Sequence, residues 1–212
     1  MALQNRVTPA GAIIATPHRG LMMGNRGGVF HRPDRTLGAR RWATRQWIAC
    51  VLQFKGRQRE AMMLPNRYTE LFFLDEATAL SAGHRPCFEC RRADALRFAA
   101  LWAQTRGWPA PGRAPEMDLA LHEERVGANG QKITYRAQLG ALPDGSFIRL
   151  PDDAGERAYL VDGNRLLAWT PAGYGPGLPR PRRRDVEVLT PRSIVAVLSS
   201  GYRAMLHPSA AV

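Results

Sequence analysis

The stretch AGHRPCFECRR, residues 82–92, says most about how this chain folds. It holds Cys87 and Cys90, two of the three cysteines in 212 residues, just after a glycine that can end a helix. A Cys-x-x-Cys turn directs two thiolates to one point, which is how half of a tetrahedral zinc site is formed. Arginines flank the pair at Arg85, Arg91 and Arg92. The sequence therefore predicts a zinc knuckle with a positively charged rim.

The residues on either side predict a strand and a short helix before the turn and a longer helix after it. Residues 69–74 are predicted as a strand, and Asp75 can cap a helix over 76–82 that Gly83 closes. After the turn, apolar residues recur at helical spacing over about 93–105. We therefore expect the cysteine pair to lie between two helices.

Residues 70–91 resemble the second half of an Ada-type zinc-binding domain. The family pattern is a Phe-Phe strand, a short Glu-Ala helix and then Ala-Gly-aromatic-Arg-Pro-Cys-x-x-Cys-Arg, and the resemblance extends over about residues 47–92. It implies a zinc ion held by four cysteines and contact with the DNA backbone. Only Cys87 and Cys90 match the family's ligands. His84 occupies the aromatic position of the pattern, so we expect it to pack rather than to bind metal.

The first cysteine pair of that family has no counterpart in this chain. Residues 60–68, where the pair should lie, contain neither Cys nor His, so the family's methyl transfer to one of those cysteines is not implied. Cys50 and His31 are the candidates that would complete a Cys₃His site, and His122 is an alternative ligand. Cys50 also lies on the apolar face of a predicted strand, where a lone cysteine commonly belongs to the core. The cysteine pair alone also admits a redox or chance motif.

A second group of chemically capable residues falls on a helix predicted from residue 116 to about 126. Asp118 and His122 are four positions apart and therefore neighbours, with Glu123 beside them. They could form an acid/base pair or a site for a hard metal ion. In an enzyme, Asp118, His122 and Glu123 would be the catalytic group of a nucleic-acid-processing hydrolase resembling a nuclease or glycosylase. The competing interpretation is an amphipathic helix with solvated acidic residues.

The net charge of +12 and a pI near 10.9 indicate a polyanionic partner, of which nucleic acid is the commonest. Nearly all of the positive charge is arginine, as expected of a GC-rich bacterial genome, and the guanidinium fork suits phosphate. A Pro/Arg loop over residues 176–184 is the second predicted phosphate contact, beside the arginines of the knuckle. Its arginines are Arg180, Arg182, Arg183 and Arg184. The alternative for this loop is a solvated or partly disordered insert.

The remaining pattern predicts an α+β fold with a mixed, mostly antiparallel sheet and three to four helices. A Pro-rich stretch at 108–115 divides a zinc-knuckle α+β region (1–108) from a β-rich region with a helix at each end (109–212), unless the two form one compact domain. Residues 20–28 are expected as a glycine-rich loop, 29–31 as a strand, and 60–64 as the partner of a hairpin with the strand from 47. A helix is expected from Pro191, with Thr190 as its cap.

No apolar run is long enough to span a bilayer, and we expect a cytoplasmic protein without membrane contact. The leading hypothesis is a zinc-stabilised nucleic-acid-binding protein, with DNA as the expected partner, in DNA repair, modification or defence. The rivals are the hydrolase described above and a basic subunit of a larger assembly that binds an acidic protein partner.

Overall fold

The computed structural model describes residues 2–56, 61–152 and 155–211, and it shows an α+β fold. Within these residues there are two six-stranded sheets and four α-helices, so the predicted fold class is confirmed. The helices are α1 (Glu76–Ser81), α2 (Arg92–Thr105), α3 (Ala114–Arg125) and α4 (Arg192–Ser199).

The first sheet is mixed and carries the strands of the N-terminal half. They are β1 (Gln4–Val7), β2 (Ile13–Ala15), β3 (Met22–Arg26), β4 (Trp47–Val51), β5 (Leu71–Phe73) and β6 (Arg85–Pro86). Their order in space is β2-β1-β5-β3-β4-β6, and the pairs β1–β5 and β4–β6 are parallel. The parallel β4–β6 pair brings the cysteine turn, which follows β6, beside β4.

The second sheet is antiparallel throughout. Its strands are β7 (Tyr135–Gln138), β8 (Phe147–Asp152), β9 (Gly155–Asp162), β10 (Arg165–Thr170), β11 (Gly173–Pro179) and β12 (Asp185–Val188). They lie in the order β11-β10-β9-β8-β12-β7. Alternating apolar residues on these strands face the core, as half-buried strands of an antiparallel sheet require.

Two clusters of buried apolar residues connect the N-terminal and C-terminal halves of the chain. Phe98 and Trp102 of α2 pack with Met117 and Leu121 of α3 and with Ile194 of α4. A second cluster combines residues at the start of α1 with residues of the second sheet: Leu74, Ala77, Phe147, Leu160, Leu167 and Tyr174. The regions predicted at 1–108 and 109–212 therefore share buried apolar surface, which is the main stabilising contribution in folding.

The local signals around the cysteine turn gave the correct helices. Asp75 caps α1, and its Oδ1 accepts the backbone N–H of Thr78 at 2.9 Å. Gly83 ends the helix with a φ of +91°, and a Cβ at this position would lie 2.6 Å from Arg125. Glycine is therefore required there both by the backbone and by the side chain packed against it.

The largest error in the predicted fold is the loop over residues 20–28, because β3 runs through it as an inner strand. β3 pairs with β4 on one side and β5 on the other. Gly24 lies where the strands approach closely, since a Cβ there would be 2.1 Å from the Ile48 carbonyl oxygen. The glycines suggested a loop, but long-range pairing determines the conformation.

Other elements also differ from the predictions. The segment 29–31 is no strand and contributes one bridge, His31 with Leu37. Residues 61–64 form no hairpin with β4, and residue 60 lies outside the described residues. The first part of the predicted Pro/Arg loop is strand β11, which pairs with β10. Pro191 rather than Thr190 is the cap of α4, because the Thr190 hydroxyl accepts the N–H of Phe147.

Candidate metal centre and basic cleft

Three cysteines converge beside the end of β4. Cys50 belongs to β4, while Cys87 and Cys90 lie in the turn between β6 and α2. The Cys87 N–H donates to the Ala49 carbonyl oxygen at 3.0 Å, which holds the turn against the strand. The sulfur atoms lie 3.7–3.8 Å apart and are close enough to hold one metal ion.

These distances decide between two kinds of cysteine cluster. A disulfide requires sulfur atoms about 2.05 Å apart, so the three thiols are free. Four thiolates placed about 2.3 Å from a central ion in tetrahedral geometry are separated by about 3.8 Å. The observed separations match the edges of such a tetrahedron.

The three thiols also form hydrogen bonds with one another. Hydrogen bonds from Cys50 and then Cys90 lower the pKa of Cys87 to about 2, whereas the pKa of Cys50 is raised by its bonds to Cys87 and Cys90. One thiolate is thus stabilised by two neighbouring thiols. A divalent cation would replace those protons, because thiolates are the ligands of soft and borderline metals.

The structure does not bring His31 or His122 into this cluster. Both ring nitrogens of His31 have other partners, the Thr69 hydroxyl at 2.8 Å and the Leu64 carbonyl oxygen at 3.2 Å. His122 packs edge-on against Trp42 and Trp47 instead. Within the described residues the cluster consists of the three cysteines alone. A cavity of about 160 Å³ lies against all three, with Asn25 and Tyr68 in its wall.

Two of the three arginines predicted on the rim of the turn are buried. Arg85 forms a two-point ion pair with Asp118, with Nε–Oδ1 at 2.9 Å and Nη2–Oδ2 at 2.7 Å. Arg91 binds the carboxylates of Glu76 and Asp94. Both guanidinium groups already hold carboxylates, of which Asp118 and Glu76 are buried and Asp94 is half-exposed. The phosphate contacts of Arg85 and Arg91 stay predictions that this geometry does not favour. Arg92 is exposed.

The proposed catalytic group is not assembled either. The Asp118 carboxylate is held in a buried ion pair with Arg85, so it is not free to accept a proton as a general base. Glu123 is exposed to solvent. Burial and the neighbouring Arg125 and Arg45 lower the pKa of His122. The three residues share α3 but not a common site.

The predicted Pro/Arg loop divides into two parts. The guanidinium of Arg180 donates to the carbonyl oxygens of Leu139, Leu142 and Gly163. Arg180 therefore links neighbouring loops, and its Nη donors are used within the protein. Arg182, Arg183 and Arg184 are exposed and remain available to a partner.

A basic cleft, not predicted from the sequence, lies between the segment 39–47, β3 and the loop after α3. Its outer cavity, about 520 Å³, is formed by residues 39–43 with Asn129 and Gly130. Its inner pocket, about 380 Å³, contains Arg26, Arg125 and Lys132. The two cavities adjoin, because Arg41, Trp42 and Gly130 belong to both. From the parts of the chain that the structure describes, no carboxylate lines either cavity.

The sequence carries a signal for only part of this cleft. The run RRWATR at residues 40–45 places an aromatic residue among three arginines, which is typical of nucleic-acid contacts. Arg26, Arg125 and Lys132 come from separate elements, so spacing along the chain gives no indication that they meet.

Comparisons of the chain with protein-family models, with curated protein sequences and with solved structures found no match. The Ada-type resemblance therefore stays a prediction that rests on residues 70–91. Among the described residues, no helix combines the length and the apolar character needed to cross a bilayer.

Proposed function

We propose that this protein is a zinc-stabilised protein that binds nucleic acid through its phosphates, with DNA as the expected partner. The observation that carries the proposal is the basic cleft, in which cationic and aromatic side chains line connected cavities without a carboxylate from the described residues. Such a surface attracts a phosphate backbone and offers a face on which a base can stack.

Zinc is the metal that best fits the cysteine cluster. Cys50, Cys87 and Cys90 supply thiolate sulfur, and their separations match tetrahedral zinc-thiolate geometry. The ion would join β4 to the turn that precedes α2, so its main effect would be on folding. The fourth ligand would approach from the cavity beside the sulfur atoms.

The outer cavity supports contact with a polynucleotide. Arg40 is exposed and Trp42 half-exposed on its wall, and Arg45 is exposed at the end of the same segment. Arginines arranged around an aromatic ring suit a single strand, because phosphates and bases alternate along it. The hydrolase hypothesis has less support, because the Asp118 carboxylate is occupied by Arg85.

The metal is tested by elemental analysis of the purified protein. We expect about one zinc per chain. A content below about 0.3 zinc per chain, after purification without chelators, would contradict the zinc centre.

Nucleic-acid binding is tested with random-sequence single-stranded and duplex DNA at several salt concentrations. Each phosphate contact contributes about 0.7–0.9 to the slope of log affinity against log salt, so we expect a slope of at least about 3 in magnitude. A slope near zero, or no binding at low salt, would contradict the proposal and favour the acidic protein partner.

A further inference from the structure

The inner pocket of the cleft is lined by Arg41, which it shares with the outer cavity, and by three further cations that have no ion-pair partner among the described residues. Arg26 and Arg125 are each only 2% exposed, and Lys132 is half-buried. None of the ion pairs found among the described residues involves any of them. Burying unpaired charge is costly, so a pocket of this kind is expected to bind an anion.

The polar partners of these cations are neutral. Arg26 donates to the carbonyl oxygens of Gly11 and Arg41, and its Nε lies 3.4 Å from Nε2 of His84. Burial and the nearby Arg26 and Arg125 hold the pKa of His84 well below its usual value, so this imidazole is neutral and adds no charge to the pocket. The Lys132 ammonium donates to the Ser81 carbonyl oxygen at 2.7 Å.

Arg125 offers a hydrogen-bond donor that nothing in the described chain uses. Its Nη atoms donate to the carbonyl oxygens of Gly83 and Arg45, but its Nε is buried without a partner. Buried donors are nearly always satisfied, so an unused one beside a cavity indicates a missing acceptor.

The walls of the pocket hold the cations in place. The guanidinium groups of Arg26 and Arg125 stack on Trp47 at 3.9 and 4.1 Å from ring centroids. Trp47 in turn packs against Trp42, which reaches into the outer cavity. The pocket thus has fixed cations at its inner end and an aromatic face at its mouth.

We propose that the inner pocket binds the phosphate group of a nucleotide, with the base stacked on Trp42. A phosphomonoester carries nearly two negative charges at neutral pH and several acceptor oxygens, which match two guanidinium groups and an ammonium better than one carboxylate does. The volume of about 380 Å³ lies within the range of small-molecule sites.

This inference goes beyond the proposed function, which concerns the backbone phosphates of a polynucleotide. A free nucleotide and the phosphorylated end of a strand present the same phosphate to the pocket, and the experiment distinguishes the two. Calorimetry with the full-length protein compares AMP, adenosine and inorganic phosphate. A second arm compares a short DNA strand carrying a 5′ phosphate with the same strand ending in a hydroxyl.

AMP is expected to bind at least about tenfold more tightly than adenosine and than inorganic phosphate, because only AMP uses both the cations and Trp42. Lys132→Met is expected to weaken AMP binding about tenfold, and Trp42→Ala to make AMP bind no better than inorganic phosphate. Lys55→Met, the replacement of the chain's other lysine, and Trp108→Ala provide matched controls away from the cleft.

Equal affinity for AMP and adenosine, or unchanged AMP binding by folded Lys132→Met, would overturn the phosphate site. Equal affinity for AMP and inorganic phosphate would overturn the placement of the base. A preference for the 5′-phosphorylated strand identifies a strand end as the source of the phosphate, whereas tight binding of AMP alone identifies a free nucleotide. AMP binding without DNA binding would contradict the proposed function and leave this inference standing.

Discussion

Arg85 and Asp118 form a buried two-point ion pair across 33 positions of the chain. Arg85 precedes the cysteine turn and Asp118 lies on α3, so the pair fastens the candidate metal centre to the helical cluster. The sequence suggested a phosphate contact for the first residue and a catalytic role for the second. Instead, the guanidinium of Arg85 and the carboxylate of Asp118 bind each other.

Asp118→Asn is expected to destabilise the protein by about 3–5 kcal/mol, because it leaves the Arg85 charge buried without a partner. Urea unfolding of the variant measures this loss. Replacing both partners, as Arg85→Met with Asp118→Leu, is expected to cost much less than the sum of the single changes. Glu123→Gln, an exposed change on the same helix, serves as the control, and a loss below about 1 kcal/mol for Asp118→Asn would contradict the structural role.

Cys50→Ala is expected to remove zinc from the purified protein and to lower its thermal stability, because the third thiolate of the cluster is lost. His31→Ala is expected to retain about one zinc per chain, since His31 binds Thr69 and Leu64. Elemental analysis and thermal melts with and without chelator provide the measurements. The reverse pattern, with zinc lost only in His31→Ala, would show that the ligand set derived from the structure is wrong.

Arg40→Gln combined with Arg45→Gln is expected to reduce the salt slope of DNA binding by about 1.4–1.8 in magnitude, because two phosphate contacts are removed. The matched control is Arg97→Gln with Arg136→Gln, which removes the same charge from exposed positions on α2 and β7. If both double variants lowered the slope equally, binding would depend on net charge rather than on the cleft.

The free protein is expected to gain stability as the pH rises from 7 towards 10. Burial, followed by the charges of Arg26 and Arg125, lowers the pKa of Lys132 from its usual 10.5 to about 7. Arg149 of β8 acts in the same direction, and Glu124 of α3 opposes the shift. Between these pKa values the unfolded chain binds the extra proton, so the free energy of unfolding increases with pH.

The contribution of Lys132 is isolated by comparison with a variant. Relative to Lys132→Met, the wild-type protein is expected to gain about 2 kcal/mol between pH 7 and pH 9, measured by urea unfolding. Lys55→Met should follow the wild-type curve, because Lys55 is exposed. Parallel pH curves for the wild type and Lys132→Met would contradict a depressed pKa.

The candidate metal centre could be predicted in part from the sequence. Cys87 and Cys90 are two residues apart in a turn, so their convergence follows from local geometry. Cys50 was one of three proposed additional ligands, with His31 and His122, and the parallel pairing of β4 with β6 brings Cys50 alone of the three to the pair. The inner part of the basic cleft could not be predicted from the sequence, because Arg26, Arg125 and Lys132 lie on elements that meet only in the folded chain.

The sequence by itself determined the features that depend on neighbouring residues. They are the cap and end of α1, the cysteine turn, the helical spacing of α2 and the alternation of the second sheet. Tertiary structure decided the rest: the inner position of β3, the third cysteine, the pairing of Arg85 with Asp118 and the unpaired cations of the inner pocket. The physical reason is that strand pairing and charge burial depend on contacts between distant residues, whereas caps and turns depend on the local backbone.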